Sequence, residues 1–415
     1  MNKARFLLPV LLLFAFTLHA QNYQWAKRLA GTAAFDVQVY DVIVDQNIYV
    51  GGSFSGTVDF DPGAGVSNKT ANGTDGFIAK YDHGGNLVWV YTTNAAGNQE
   101  VKGLNLGAKL NAGVQTSNTS ISLIALETAT GSLYASASYS TSGSIKVNKL
   151  AKNSSTTLYV VGSFGGNFQL PGGISAIGTD AFLMGFNLGN TPANYFTLAF
   201  LNGYGGNGYQ EAFDVSVFQS TIRMAGVFDG TCTFPSGGSV SLTSAGGTDG
   251  FVIELNSVGN PTFSTNKLRI GSTGNDGVTS IESDPGTRAF AIGGYFSDVF
   301  DFDPSANTVS LTSAGGKDGF VARYWFNASA SGPLFSFAKK TGGTFDDEVT
   351  DVSVSANSTH PVYYAASNGA ASGSAISTAA YDSLGGTVTF GGLLLPANQT
   401  TLNKCNSICA YNPSA

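Results

Sequence analysis

Apolar and polar positions alternate in short runs along this chain, and the runs recur. The pattern V-x-D-V-x-V, or a relative of it, appears as "VYDVIV" (39–44), "VKGLNL" (101–106), "VNKLAK" (147–152), "AFDVSV" (212–217), "VTSIES" (278–283) and "VTDVSV" (349–354). Alternation with period two predicts half-buried strands. Each run is followed by an apolar stretch such as "NIYVGGSF" (47–54) or "TLYVVGSF" (157–164), and in most units by an outer segment such as "GTVDFDP". A run of the "GTDGFIAKYD" type comes next, and then, after Gly84-Gly85, one of the "NLVWVYTT" type. We name these strands A to D in chain order. Residues 49–91 hold most of one such unit, and 290–324, 223–255 and 159–186 repeat it more or less closely. Self-similarity at a long period marks a repeat architecture.

Aligned on strand C, Phe77, Leu123, Phe182, Phe251, Phe320 and Ser407 fall in register. The units are then about 36–99, 100–143, 144–210, 211–275, 276–346 and 347–415. The expected fold is all-β: a closed β-propeller of four-stranded blades, six in number, or seven if the Ser/Ala/Gly-rich stretch 365–385 adds one. Otherwise that stretch reads as an insertion in the last blade. In the last unit "GTVTF" (386–390) matches the outer "GTVDF" and "SICAYN" (407–412) matches strand C, with no strand D after it. The N-terminal "YQWAKRLAG" (23–31) is similar to the fifth unit's strand D, "FSFAKKTGG" (335–343). Residues 22–32 are therefore expected to complete the last blade, which would leave only short protected edges.

Composition narrows the function. Of 415 residues 54 are Gly and only 11% are charged, with a net charge of −7. Without a Lys/Arg-rich run, nucleic acid is not an expected partner. Residues 1–20 read as a signal peptide: Lys3 and Arg5 precede an apolar run (6–18) too short to span a bilayer, with cleavage expected near Ala20. The mature chain is expected to be secreted or at the cell surface, without a membrane span. Export permits a disulfide between Cys405 and Cys409, while Cys232 reads as a small buried apolar residue.

The linked motifs "GxFxGTVDFDPGxG", "GxxDGFxxKxDxxGNxxW" and "DVxVD" resemble those of the bacterial surface β-propeller repeat proteins of the SBBP type. The likeness covers nearly all of the mature chain and is best at 36–97 and 211–343. It implies a propeller on an exported, cell-surface protein and lends no catalytic residues.

Three acidic patterns invite chemistry. Asp59 and Asp61, like Asp301 and Asp303, stand two apart before a turn and could chelate Ca²⁺, or could bond turn amides. The strand-A Asp41, Asp214 and Asp351 are expected to point between blades and bond a neighbouring turn rather than line a channel. Asp75, Asp180, Asp249 and Asp318 precede strand C and read as turn residues. Binding is expected at the D-to-A connections, because loops on a rigid scaffold carry function. These offer Glu100, Tyr204, Tyr209, Glu211, Asn275, Asp276, Phe345, Asp346 and Asp347. Aromatic faces with amides and carboxylates suit sugars. The reading is a non-catalytic module for a glycan or surface protein, with a self-assembling structural or adhesive component as the alternative. A carbohydrate-active enzyme would need paired carboxylates, to be sought among Asp346, Asp347, Glu348, Glu211 and Glu100.

Overall fold

The computed structural model describes residues 23–31, 36–153, 156–235, 240–326, 332–354, 362–368, 375–381, 387–388 and 407–411. The strands lie where the alternation puts them through five units. Unit one has strands A to D at Val37–Val44, Ile48–Asp59, Asn68–Tyr81 and Leu87–Thr92. Unit two has them at Glu100–Leu106, Leu110–Ser117, Ser120–Leu126 and Leu133–Ser140. Unit three follows at Ile145–Lys152, Thr157–Asn167, Ser175–Leu188 and Phe196–Tyr204. Unit four uses Gly208–Phe218, Thr221–Phe228, Asp249–Leu255 and Lys267–Ile270, with an outer hairpin, Thr231–Phe234 and Val240–Thr243, inserted between B and C. Unit five uses Gly277–Ser283, Ala289–Asp301, Ser310–Phe326 and Pro333–Thr341. Within each unit the strands pair antiparallel in chain order.

Strand A of each unit packs against strand A of the next, from the first unit to the sixth. An apolar layer separates each consecutive pair of sheets. The sheets thus stand face to face about a common axis with strand A innermost, as the blades of a β-propeller do. A strand covered on both faces need not alternate, and "GFIAKY" of strand C is buried at every position. The Phe of "DFDP" plugs this core: Phe60 packs against Phe54 and Phe77 at 5.2 and 4.9 Å, and Phe302 against Phe296 and Phe320 at 5.5 and 5.0 Å. Buried charge is paired, Arg223 with Glu254 at 3.3 Å in unit four and Arg323 with Asp284 in unit five.

The sixth unit departs from the sequence reading. Its strands A and B are Asp347–Val354 and Val362–Asn368, but the third strand is Ala375–Tyr381, inside the stretch read as an insertion. Ser377 stands opposite Ala366 as Phe77 stands opposite Gly52, so Ser377 and not Ser407 holds the strand-C register. Thr387–Val388, read as an outer segment, pairs as the fourth strand. Ser407–Tyr411 does pair antiparallel with the N-terminal Tyr23–Arg28, as the N-terminal reading expects, but in a two-stranded sheet separate from the sixth. Cys232 is buried and free, whereas Cys405 lies outside the described residues.

Candidate functional site: the axis and its mouth

Strand A carries a β-bulge at the same place in all six units. The register with strand B shifts between Val39 and Asp41, Val101 and Gly103, Val147 and Lys149, Ala212 and Asp214, Val278 and Ser280, and Val349 and Asp351. A bulge adds one residue and re-aims the side chains that follow it. The residues after the bulge meet across units, neighbouring ones at Ser280 and units one and three at Lys149. Lys149 donates to Asp41 Oδ1 at 2.8 Å, and Ser280 Oγ lies 2.9 Å from Asp214 Oδ2 and 3.1 Å from Asp351 Oδ1. The same aspartates accept backbone N–H groups of the following unit, Leu104 on Asp41 at 2.7 Å and Ile281 on Asp214 at 2.8 Å.

The expectation that strand-A aspartates turn away from the axis is therefore corrected. They do bond a neighbouring strand, but they also converge. A cavity of about 230 Å³ is lined by Asn105, Lys149, Asp214, Ser216, Glu282 and Asp351, among others, drawn from strand A of five units. Burial, reinforced by Asp214 and Asp351, pushes Glu282 up to about 8.

The inserted bulge residues and the starts of strand A form the mouth at the other end. Three half-buried tyrosines recur there, each with a lysine over its ring. Lys102 Nζ stands 3.6 Å from the Tyr40 ring, Lys317 Nζ 4.2 Å from Tyr295, and Lys146 Nζ 5.9 Å from Tyr209. A strand-A glutamate completes two of these groups, Glu100 from the strand A after that of Tyr40 and Glu211 from the strand of Tyr209 itself. Tyr40 donates to Glu100 at 2.7 Å, and Tyr209 donates to Glu211, which also accepts from Lys146 at 2.9 Å and Asn148 at 2.8 Å. Glu348 bears on Tyr295 through charge, and burial chiefly pushes that phenol up to about 12.

The nine expected ligand residues divide. Glu100, Tyr209 and Glu211 belong to the mouth, though Glu211 is buried beneath its partners. Tyr204 does not: it ends strand D, is fully buried against Phe234, and donates to Gly259 O at 2.7 Å. Asp276 and Asp347 are also buried, and each caps its own turn, Ser272 N donating to Asp276 at 2.7 Å and Gly343 N to Asp347 at 2.6 Å. Asn275 and Asp346 are exposed but tie the connection to the start of strand C, accepting from Thr248 N at 3.1 Å and Lys317 N at 3.0 Å. Phe345 is exposed. Of the carboxylates considered for hydrolysis, Glu211 and Asp347 are thus committed to local bonds. Tyr40, Tyr295, Lys102, Lys146 and Lys317 join the mouth without a signal in the sequence. No motif marks them, because the bulge that aims Tyr40 is set by strand pairing.

The "DFDP" carboxylates serve turns. Asp59 Oδ1 accepts from Asp61 N and Ser67 N at 3.0 and 2.7 Å, and Asp301 Oδ1 from Asp303 N and Val309 N at 3.1 and 2.8 Å. Asp61 and Asp303 each accept the N–H two residues on, at 2.8 and 2.9 Å. Among the described residues no three His, Cys, Asp or Glu side chains converge as metal ligands. The aspartates before strand C behave alike: Asp249 accepts Ala245 N at 2.9 Å and pairs with Arg269 at 2.7 Å, and Asp318 accepts Ala314 N and pairs with Lys340. Asp249→Ala should cost about 1–3 kcal/mol in chemical denaturation, the usual loss for a buried hydrogen-bonded group, and leave ligand binding unchanged.

No protein family's sequence pattern and no curated protein matches the chain. Among solved structures it is similar to the Neurospora crassa Pan2 WD40 domain, at 8% identity over 83% of this chain and 94% of that one, with a TM-score of 0.37. It is similar also to a subtype N11 neuraminidase-like protein of A/flat-faced bat/Peru/033/2010, at 9% identity over 89% and 93%, TM-score 0.41. A third is Saccharomyces cerevisiae Sqt1, at 9% identity over 91% and 100%, TM-score 0.35.

Proposed function

We propose that this chain is an exported, non-catalytic binding module of the bacterial surface-propeller kind, acting at the cell surface or outside it, and that it takes a glycan or a surface protein at the mouth of its axis. The carrying observation is the repeated grouping of tyrosine, lysine and glutamate around Tyr40, Tyr209 and Tyr295. A tyrosine ring offers a rigid apolar face with a polar tip, and the lysine and glutamate supply donors and acceptors for hydroxyls. Repetition across units presents several such groups on one end, which suits a ligand with repeating parts.

Residues 21–415 on a broad glycan array, with Ca²⁺ and again with a chelator, test the reading. Binding should be lost in Tyr40→Ala and Tyr209→Ala and survive the chelator, since the "DFDP" carboxylates are occupied by turn amides. Tyr204→Ala is no probe of the site, because it empties the core. A blank array together with concentration-dependent assembly in light scattering would favour the structural or adhesive role instead.

A further inference from the structure

The hydroxyl of Ser280 sits between two carboxylates. Its oxygen is 2.9 Å from Asp214 Oδ2 and 3.1 Å from Asp351 Oδ1, and it accepts Val352 N–H at 3.2 Å. A serine hydroxyl has one proton to give and two lone pairs to fill. With both carboxylates ionised it can donate to one only, and the other contact sets lone pair against lone pair. One added proton resolves this: the protonated carboxyl donates to Ser280, and Ser280 donates to the remaining carboxylate. Two like-charged carboxylates at one site commonly hold a proton in this way.

We propose that Asp214, Ser280 and Asp351 share one proton and so form a pH-sensitive lock that ties strand A of units four, five and six at the axis. The surrounding charges are Lys149, whose ammonium is bonded to Asp41, together with Lys152 and Glu282 in the same cavity. Burial, the largest cause, raises Asp214 to about 6 even against the Lys149 charge and the Ile281 N–H. An acid raised on folding stabilises fully below its unfolded value, and that stability is lost as pH rises through the folded value. The lock therefore holds in mild acid and is lost as pH rises from roughly 4 through about 6, the span from a free carboxyl value to that of Asp214. Glu282, pushed up to about 8, titrates apart from it.

The test is thermal unfolding of the full chain at about pH 5.5 and about pH 8.5, where the linkage predicts a lower midpoint at the higher pH. Glu282→Gln serves as background, removing that residue's own titration. Adding Asp351→Asn supplies a permanent N–H donor to Ser280, so the double variant should lose most of the remaining pH dependence and melt no lower than its background at the higher pH. An undiminished slope, with an equal drop at both values, overturns the proposal. Hydrogen exchange on the wild type needs no variant. Between the same two conditions, and after correction for intrinsic rates, protection in Gly277–Ser283 and Asp347–Val354 should fall about fourfold more than in Ser120–Leu126, the factor that a folded value of about 6 gives over this pH change. A uniform change across the three strands overturns it equally.

Discussion

Gly226→Ala should destabilise the protein by about 3 kcal/mol or more, beyond the ordinary range for a single added methyl group. Gly226 lies opposite Ala212, the residue before the bulge in unit four. A Cβ there would stand 1.9 Å from the carbonyl oxygen of Glu211. The same clash awaits Gly52 with Gln38 and Gly162 with Lys146, each at 1.9 Å, and Gly294 with Gly277 at 2.0 Å. The obstacle is backbone on the innermost strand, packed against the next unit, so it cannot turn aside as a side chain would. Gly343→Ala is the control, since nothing lies within 4 Å of a Cβ at that position. It should change stability by no more than about 0.5 kcal/mol, as surface substitutions do. Urea unfolding of the two variants beside the wild type settles the matter: equal midpoints would mean the bulge yields and the axis is not built as described.

That glycine shows how far the sequence could be read. The repeated "GG" of "YVGGSF" and "AIGGYF" was visible as a mark of strand B, but its cause was not. A bulge adds a residue without any signature residue of its own. Blade stacking alone sends the strand-A side chains between units, where Asp41 and Asp214 do bond, and leaves their convergence at the axis unread. The axial cluster and Tyr40 were lost to the same step, whereas Tyr209 was legible as a connection residue. Tyr204 failed differently: it lies in a Gly-rich segment that reads as a connection, yet its backbone still pairs with Ala181 of strand C and its ring follows the strand into the core. The strand-C phenylalanines, the turn role of Asp249 and Asp318, and the first five units were legible because each rests on local chemistry repeated several times. In the sixth unit the signal was present but faint. "AAYD" at 379–382 matches "AKYD" at 79–82, and the Ser/Ala composition around it hid the match.

Removing the N-terminal segment, residues 1–31, should cost more than any single side chain within it. Leu29 is buried in the core of unit one with Val37, Phe54 and Phe60, and Ala30–Gly31 pairs with the outer end of Ile48–Asp59. Leu29→Ala alone should cost about 2–5 kcal/mol, the range for emptying a buried leucine site. The deletion also strips Ser407–Tyr411 of its paired strand. The sixth unit supplies four strands of its own, and this pair of chain ends forms a separate two-stranded sheet. A two-stranded sheet is marginal unless it packs on neighbours, so its contribution depends on closing the ring. If it does, the deletion lowers the unfolding midpoint well below that of Leu29→Ala and opens the sixth unit, Asp347–Val354 first, to proteolysis. If the deletion and Leu29→Ala melt together, the segment does no more than fill the first core, and the ring is not closed by its ends.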